Sequence, residues 1–138
     1  RRIAIIGACG VGLGVAVYLL GKGDYEISVV DEAQKPGRDV NPFYFWQYMA
    51  LMKKKKVNFM MRTAIDSIGD RSIRFTGPSG QGSLEVDSVI MSIFYPEDGI
   101  WKQSVDSLAG EVYFIGDAKK PRRLLNAIHD GYRLGMVI

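Results

Sequence analysis

The sequence predicts an α/β fold of three layers, with a parallel central sheet and an antiparallel β-meander as one of its crossovers. Three observations predict it. An apolar run, Ile3-Ala-Ile-Ile6, meets a glycine cluster and then a proline-free apolar segment to Leu20, which reads as strand, tight turn and helix. A second strand at Glu26–Val30, a capped helical segment and a third strand at Val57–Met61 continue the alternation as βαβαβ. From Thr63 the pattern changes to short alternating segments separated by turn residues, the signature of a meander.

The first unit carries the most chemistry. In the dinucleotide fingerprint G-x-G-x-x-G the first glycine makes the turn, the second lets a pyrophosphate reach the backbone, and the third lets helix and strand pack closely. Gly7 and Gly12 hold the first and third places and Cys9 the second, with Gly10 and Val11 between. A side chain at Cys9 is then expected where backbone should meet phosphate, unless Gly10 lets the loop shift. The motif's companion is an acidic residue at the end of the second strand, about 20 residues on, for the adenosine ribose hydroxyls. Asp31 stands there. This is the opening unit of a Rossmann-like dinucleotide site; the competing reading is a βαβ unit that packs the same way and binds nothing.

The uncharged run from Ile3 to Gly21 behind Arg1-Arg2 also invites a signal-peptide or membrane reading, and Ile6-Gly-Ala-Cys9 resembles a lipoprotein cleavage box. The apolar block before Cys9 is too short for a signal core, glycines at 7, 10, 12, 14 and 21 interrupt the rest, and Val29-Val30-Asp31 suits a second strand. A cytoplasmic protein with no membrane partner is expected.

Gln34-Lys-Pro-Gly-Arg38 is a loop in which Lys35 and Arg38 either reach an adenosine phosphate or stay solvated. Asp31 repels a 2′-phosphate, which favours NAD over NADP. Asn41-Pro42 starts the second helix as N-cap and first-turn proline. Phe43, Trp46, Met49, Ala50 and Met52 or Lys53 follow at helical spacing and predict its buried face, although Tyr44, Phe45 and Tyr48 make the segment aromatic beyond one face. Lys53 to Lys56 read as cations at the helix C-terminus rather than a nucleic-acid patch, since no second basic cluster adjoins them. The meander strands are expected at Thr63–Ile68, Ser72–Thr76 and Ser83–Val86, with turns at Gly69-Asp70 and Gly77–Gly82, and Asp87–Ile93 as the next buried strand.

Composition narrows the rest. A chain of 138 residues, 47% hydrophobic, buries a sizeable core. The net charge of +3 is too small to indicate a nucleic-acid partner. One cysteine excludes an internal disulfide and any four-cysteine metal or iron–sulfur site within the chain, and one histidine excludes a histidine cluster. The chain opens directly on a strand without an initiator methionine, so it is expected to be part of something longer.

Glu111-Val-Tyr-Phe-Ile-Gly-Asp117-Ala-Lys-Lys-Pro121-Arg122, followed by Leu125-Asn-Ala-Ile-His-Asp-Gly131, resembles the C-terminal signature of NADH:flavin oxidoreductases that fuse an Old Yellow Enzyme barrel to a reductase module, including 2-enoate and 2,4-dienoyl-CoA reductases. Gly37-Arg-Asp-Val-Asn-Pro-Phe-Tyr44 also matches that group, and the likeness runs from the first glycine loop to Gly131. The resemblance implies a relay in which NAD(P)H docks on this domain and gives hydride to FAD. Electrons then cross a 4Fe-4S cluster to FMN in a barrel, the cluster, the FMN and the barrel lying outside this chain. It further implies that Gly116 and Asp117 lie against FAD at the start of a helix, that Arg122 pairs with a phosphate or forms a surface salt bridge, and that His129 has a packing or surface role. Partners implied are the dinucleotide and the missing barrel and FAD-binding portions.

The division expected is residues 1–110 as the NAD(P)-binding domain, its meander near 63–86, and residues 111–138 as a strand and helix of FAD-domain type. Departures from the group stand at Cys9, at Gly14 where relatives carry an acidic residue, and at Ser92-Ile93-Phe94 where they carry Ala-Thr-Gly or Ala-Gly. The alternative is therefore a degenerate Rossmann module serving as an interdomain scaffold or an ADP site.

Overall fold

A computed structural model describes residues 1–92 and 111–138. By their internal contacts the residues form two units, 1–93 and 94–138. The first is built from β1 (Arg2–Ile6), α1 (Gly10–Leu20), β2 (Glu26–Asp31), α2 (Pro42–Lys54), β3 (Asn58–Met61), β4 (Ala64–Ile68), β5 (Ser72–Gly77), β6 (Gly80–Glu85) and β7 (Ser88–Met91). β3, β2, β1 and β7 make a four-stranded sheet in that order, all parallel, and β4, β5 and β6 make an antiparallel three-stranded sheet. The expected fold class is the observed one.

Strand alternation divides the core in two. Ile3 and Ile5 of β1 and Ile27 and Val29 of β2 join Leu13, Ala16 and Leu20 of α1 and Met52 of α2. Ala4 and Val30 belong to a second cluster with Ile73 of β5 and Val86, against which Ile65 and Leu84 pack. Helices thus cover one face of the parallel sheet and the meander covers the other. Full burial of an aliphatic side chain contributes about 1.5–3 kcal/mol. Ile5, Leu13, Val29, Val30, Met52 and Ile73 are all below 2% exposed, so these layers rather than the glycine loop hold the fold together.

Three local expectations change. Asn41 caps α2, its side-chain oxygen accepting from the Phe43 amide at 2.9 Å. The buried face, however, runs through Phe45, Tyr48, Leu51 and Met52, while Phe43 and Trp46 are 65% and 61% exposed. Aromatic residues on both sides of the helix make the apolar stripe ambiguous, and docking on α1 selects the other one. The third meander strand begins at Gly80 rather than Ser83, because Gly77 pairs with Gly80 and leaves only Pro78-Ser79 as the turn. Gly82 belongs in that strand: an added Cβ would lie 2.6 Å from the Phe75 ring opposite. In the second unit, no strand forms over Glu111–Ile115, where the sequence predicts one.

The lysine run ends α2 as expected, and in a specific way. Lys56 takes a φ of +56°, its amide bonds to Lys53 and that of Val57 to Met52, which is a Schellman stop with lysine in the usual glycine position.

The described part of the second unit has a one-turn 3-10 helix at Gly116–Ala118 and a helix α3 at Leu124–Gly135. Ile93 and Phe94, the bulk noted where relatives are small, lie outside the described residues.

Candidate functional site: the glycine loop at the edge of the parallel sheet

The chain runs outward from β1 through β2 to β3 and then returns to the other side of β1 as β7. The strand order reverses between β1 and β7, and ligands of open α/β sheets bind beyond the strand ends at such a point. The glycine loop lies there. Gly7 bonds to the Val30 carbonyl at 2.8 Å and holds a φ of +109°, which favours glycine. A Cβ on it would also sit 2.7 Å from the Ser92 carbonyl oxygen. At Gly12 the restriction is tighter, since a Cβ would fall 2.0 Å from the Gly7 carbonyl oxygen. The first and third fingerprint positions therefore have the turn and close-packing roles assigned to them.

Leu13 donates the first helical hydrogen bond of α1, to the Cys9 carbonyl at 2.9 Å, so the amides of Gly10, Val11 and Gly12 precede the ladder. Such first-turn donors, with the positive end of the helix dipole, suit a phosphate. Cys9 itself is the N-cap residue, and its thiol donates to the Ser92 carbonyl at 3.0 Å. Its side chain lies against the end of β7, not over the first turn as the sequence suggested. Ser92 completes the arrangement with its hydroxyl 2.8 Å from the Gly7 carbonyl and 3.1 Å from that of Ile6. Sequence reasoning noted Ser92 only as a departure; the structure makes it the clasp between β7 and the glycine loop. Gly14 is open, with nothing within 4 Å of an added Cβ.

Asp31 ends β2 and turns back to the loop. One carboxylate oxygen accepts from the Ala8 amide at 2.6 Å and the other from the Ala33 amide at 2.7 Å. Each oxygen retains a second lone pair, so the group holds the loop and still has acceptor capacity for a hydroxyl.

A residue that sequence reasoning missed is Asp39. Its carboxylate accepts from the Gly10 amide through both oxygens, at 2.8 and 3.0 Å. The segment Gly37–Val40 is folded over the loop as a strap, Gly37 donating to the Ala8 carbonyl at 2.7 Å and Val40 to the Gly37 carbonyl at 3.0 Å. Gly37 has a φ of +69°, and a Cβ on it would be 2.4 Å from the Phe45 ring. Nothing in local spacing announces a bond across 29 positions. Arg38, within the strap, is exposed.

The second unit has its own polar cluster. Gly116, with a φ of +57°, donates to Asp130 at 3.2 Å, and Arg122 forms an ion pair with the same carboxylate. Burial raises the Asp130 pKa, but the hydrogen bonds from Arg122 and Gly116 outweigh it and hold the carboxyl below its ordinary value. Asp117 is exposed and accepts from the Arg122 amide at 3.5 Å. The structure thus brings Gly116, Asp117 and Arg122 together around Asp130, which sequence reasoning had passed over. Arg122 forms its ion pair within its own unit, and Asp117 sits in the single 3-10 turn Gly116–Ala118. His129 is exposed.

Among the described residues no helix is long and apolar enough to cross a membrane. A metal reductase from Desulforamulus reducens is 30% identical over 114 residues, covering 83% of this chain and 17% of that protein. A 2-naphthoyl-CoA reductase in complex with 2-naphthoyl-CoA matches at a TM-score of 0.75 and 30% identity, over 99% of this chain and 21% of the other. Histamine dehydrogenase from Rhizobium sp. 4-9 shares the fold at a TM-score of 0.74 and 15% identity, over 97% of this chain and 21% of the other. The chain therefore spans about a fifth of the length of these proteins. The profile of the pyridine nucleotide-disulphide oxidoreductase family matches residues 1–131, and with the glycine loop, Asp31 and the sheet order in place, the chain belongs to that family.

Proposed function

We propose that this chain is the NAD(P)H-binding domain of a larger flavin-dependent oxidoreductase of the NADH:flavin, enoate reductase type, supplying the nucleotide from which FAD receives hydride. The observation that carries the reading is the approach of Gly12 to the Gly7 carbonyl at the sheet's switch point, with Asp31 beside it. Bound NAD(P)H supplies the hydride. Gly10, Val11 and Gly12 hold its pyrophosphate through backbone amides, and Gly7 keeps the turn beneath it open. Asp31 accepts from the ribose hydroxyls and disfavours a 2′-phosphate, so NADH is the expected donor. Arg38 is the nearby cation of the β2–α2 loop. Gly116, Asp117 and Arg122 contribute to the FAD side, and the rest of the FAD site, the FMN barrel and the 4Fe-4S cluster belong to other parts of the parent protein, in the cytoplasm. The likeness to a metal reductase and to a 2-naphthoyl-CoA reductase supports this class.

One observation favours a second reading, a module that keeps the fold as a scaffold or an ADP site. The Asp39 carboxylate already occupies the Gly10 amide. Titration of the 138-residue chain with NADH, NADPH and ADP, followed by calorimetry, separates the two. Saturable NADH binding, tighter than NADPH and with the preference narrowed by Asp31→Asn, is expected. ADP binding without a gain from the nicotinamide half supports the second reading, and no binding by any of the three at millimolar concentration rejects the nucleotide site.

A further inference from the structure

The Asp39 carboxylate, against the first turn of α1, is a negative charge set where a dinucleotide would bring another. Both Asp39 oxygens lie within hydrogen-bond distance of the Gly10 amide, the first free donor of the helix. An added Cβ at Gly10 would be 3.1 Å from the nearer oxygen, which shows how closely the carboxylate lies against the start of the helix. Burial does not force this contact, because Asp39 is exposed. The strap holds it in place. Gly37 bonds to the Ala8 carbonyl, an added Cβ on it would meet Phe45 at 2.4 Å and Leu13 at 3.2 Å, and Val40 closes a turn back onto Gly37. Asp31 meanwhile takes the Ala8 amide, so two carboxylates answer two amides of one short loop.

We propose that Asp39 is a built-in competitor for the dinucleotide pyrophosphate: the strap Gly37–Val40 seats its carboxylate on the first turn of α1, and the carboxylate must leave before a pyrophosphate can take the same amide. This rests on reading the loop as a dinucleotide site, and it adds the residue that sets the affinity of that site. Two anions cannot share the Gly10 amide at hydrogen-bond distance, and a site available only while the strap is open binds with an affinity reduced by the open fraction.

The test compares the wild-type chain with Asp39→Asn and Asp39→Ser, each checked for native circular dichroism, in titrations with NADH and with inorganic pyrophosphate. The backbone amide of Gly10 is followed by NMR in the same samples. Expected is a gain of about three- to tenfold in NADH affinity in both variants. The Gly10 resonance should move on substitution alone and again on adding ligand. Equal or weaker NADH binding by both variants overturns the proposal while leaving the nucleotide reading intact. Absence of NADH and pyrophosphate binding in wild type and variants alike overturns that reading and the proposal with it, and a Gly10 resonance indifferent to Asp39 overturns the contact itself.

Discussion

At Gly12 one methyl group separates a closed βα turn from a broken one. The Cβ of an alanine would stand 2.0 Å from the Gly7 carbonyl oxygen and 2.4 Å from the Ser92 hydroxyl. Backbone cannot yield as the end of a flexible side chain can, so Gly12→Ala forces α1 away from β1. A loss of about 1–3 kcal/mol is expected in urea unfolding, whereas Gly14→Ala, where an added Cβ meets nothing within 4 Å, leaves the midpoint unchanged or raised. Similar losses at both sites would show that the close approach is not a constraint. Cys9 illustrates the opposite case. Its sequence position implied obstruction, yet its thiol finds a carbonyl acceptor on the neighbouring strand. The fingerprint specifies how near the backbones come, and a side chain at the second position is harmless to the fold as long as it has somewhere else to point.

Between elements, the join that matters most away from the glycine loop is at the opposite end of β1. The Arg2 amide donates to Asp87 at 2.8 Å, its guanidinium pairs with Asp87 at 3.1 Å and with Glu85, and Arg71 reaches Asp87 at 3.4 Å. These bonds pin the end of β6 and the start of β7 to β1. The backbone amide of Arg2 first, and its side chain second, hold the Asp87 carboxyl well below the usual carboxylate range. An unfolded chain takes up that proton near the ordinary aspartate value of about 4 while the folded protein does not. Stability from this group is therefore complete at neutral pH and is lost as pH falls below about 4. Asp87→Asn should unfold with a flatter pH dependence than wild type over that acid range; parallel curves would mean that the cluster is indifferent to folding. α2 shows how an element can be right in its bounds and turned about its axis. Its cap and its lysine stop were legible because each is a local signal. Its buried face was not, because Phe43 and Trp46 compete with Phe45 and Tyr48 for the same 3.6-residue period.

For the molecule as a whole, the alternation of strands and helices gave the sheet, the glycine loop gave its switch point, and distance alone put Asp31 at the end of β2. The contacts that sequence reasoning missed, Asp39 to Gly10 and Asp130 to Arg122 and Gly116, join residues with no periodic relation, and only the fold brings them together. Gly80 and Gly82 misled in another way, since both read as turn residues although they lie in β6, Gly82 where the Phe75 ring takes the space a side chain would need. The two-sided cover of the parallel sheet has a consequence for how the protein opens. β1 is bonded to β2 along one edge and to β7 along the other, with helices on one face and the meander on its second. No partial opening uncovers it without dismantling two layers, so the amides of Ala4 and Ile5 should exchange with deuterium only through global unfolding. The meander amides should exchange through smaller openings, because among the described residues β4 is an edge strand, paired with β5 alone. Exchange from β1 is then a clock for the whole first unit, and urea should accelerate it with the full unfolding slope; a shallow slope at Ile5 would reveal that the sheet opens in parts.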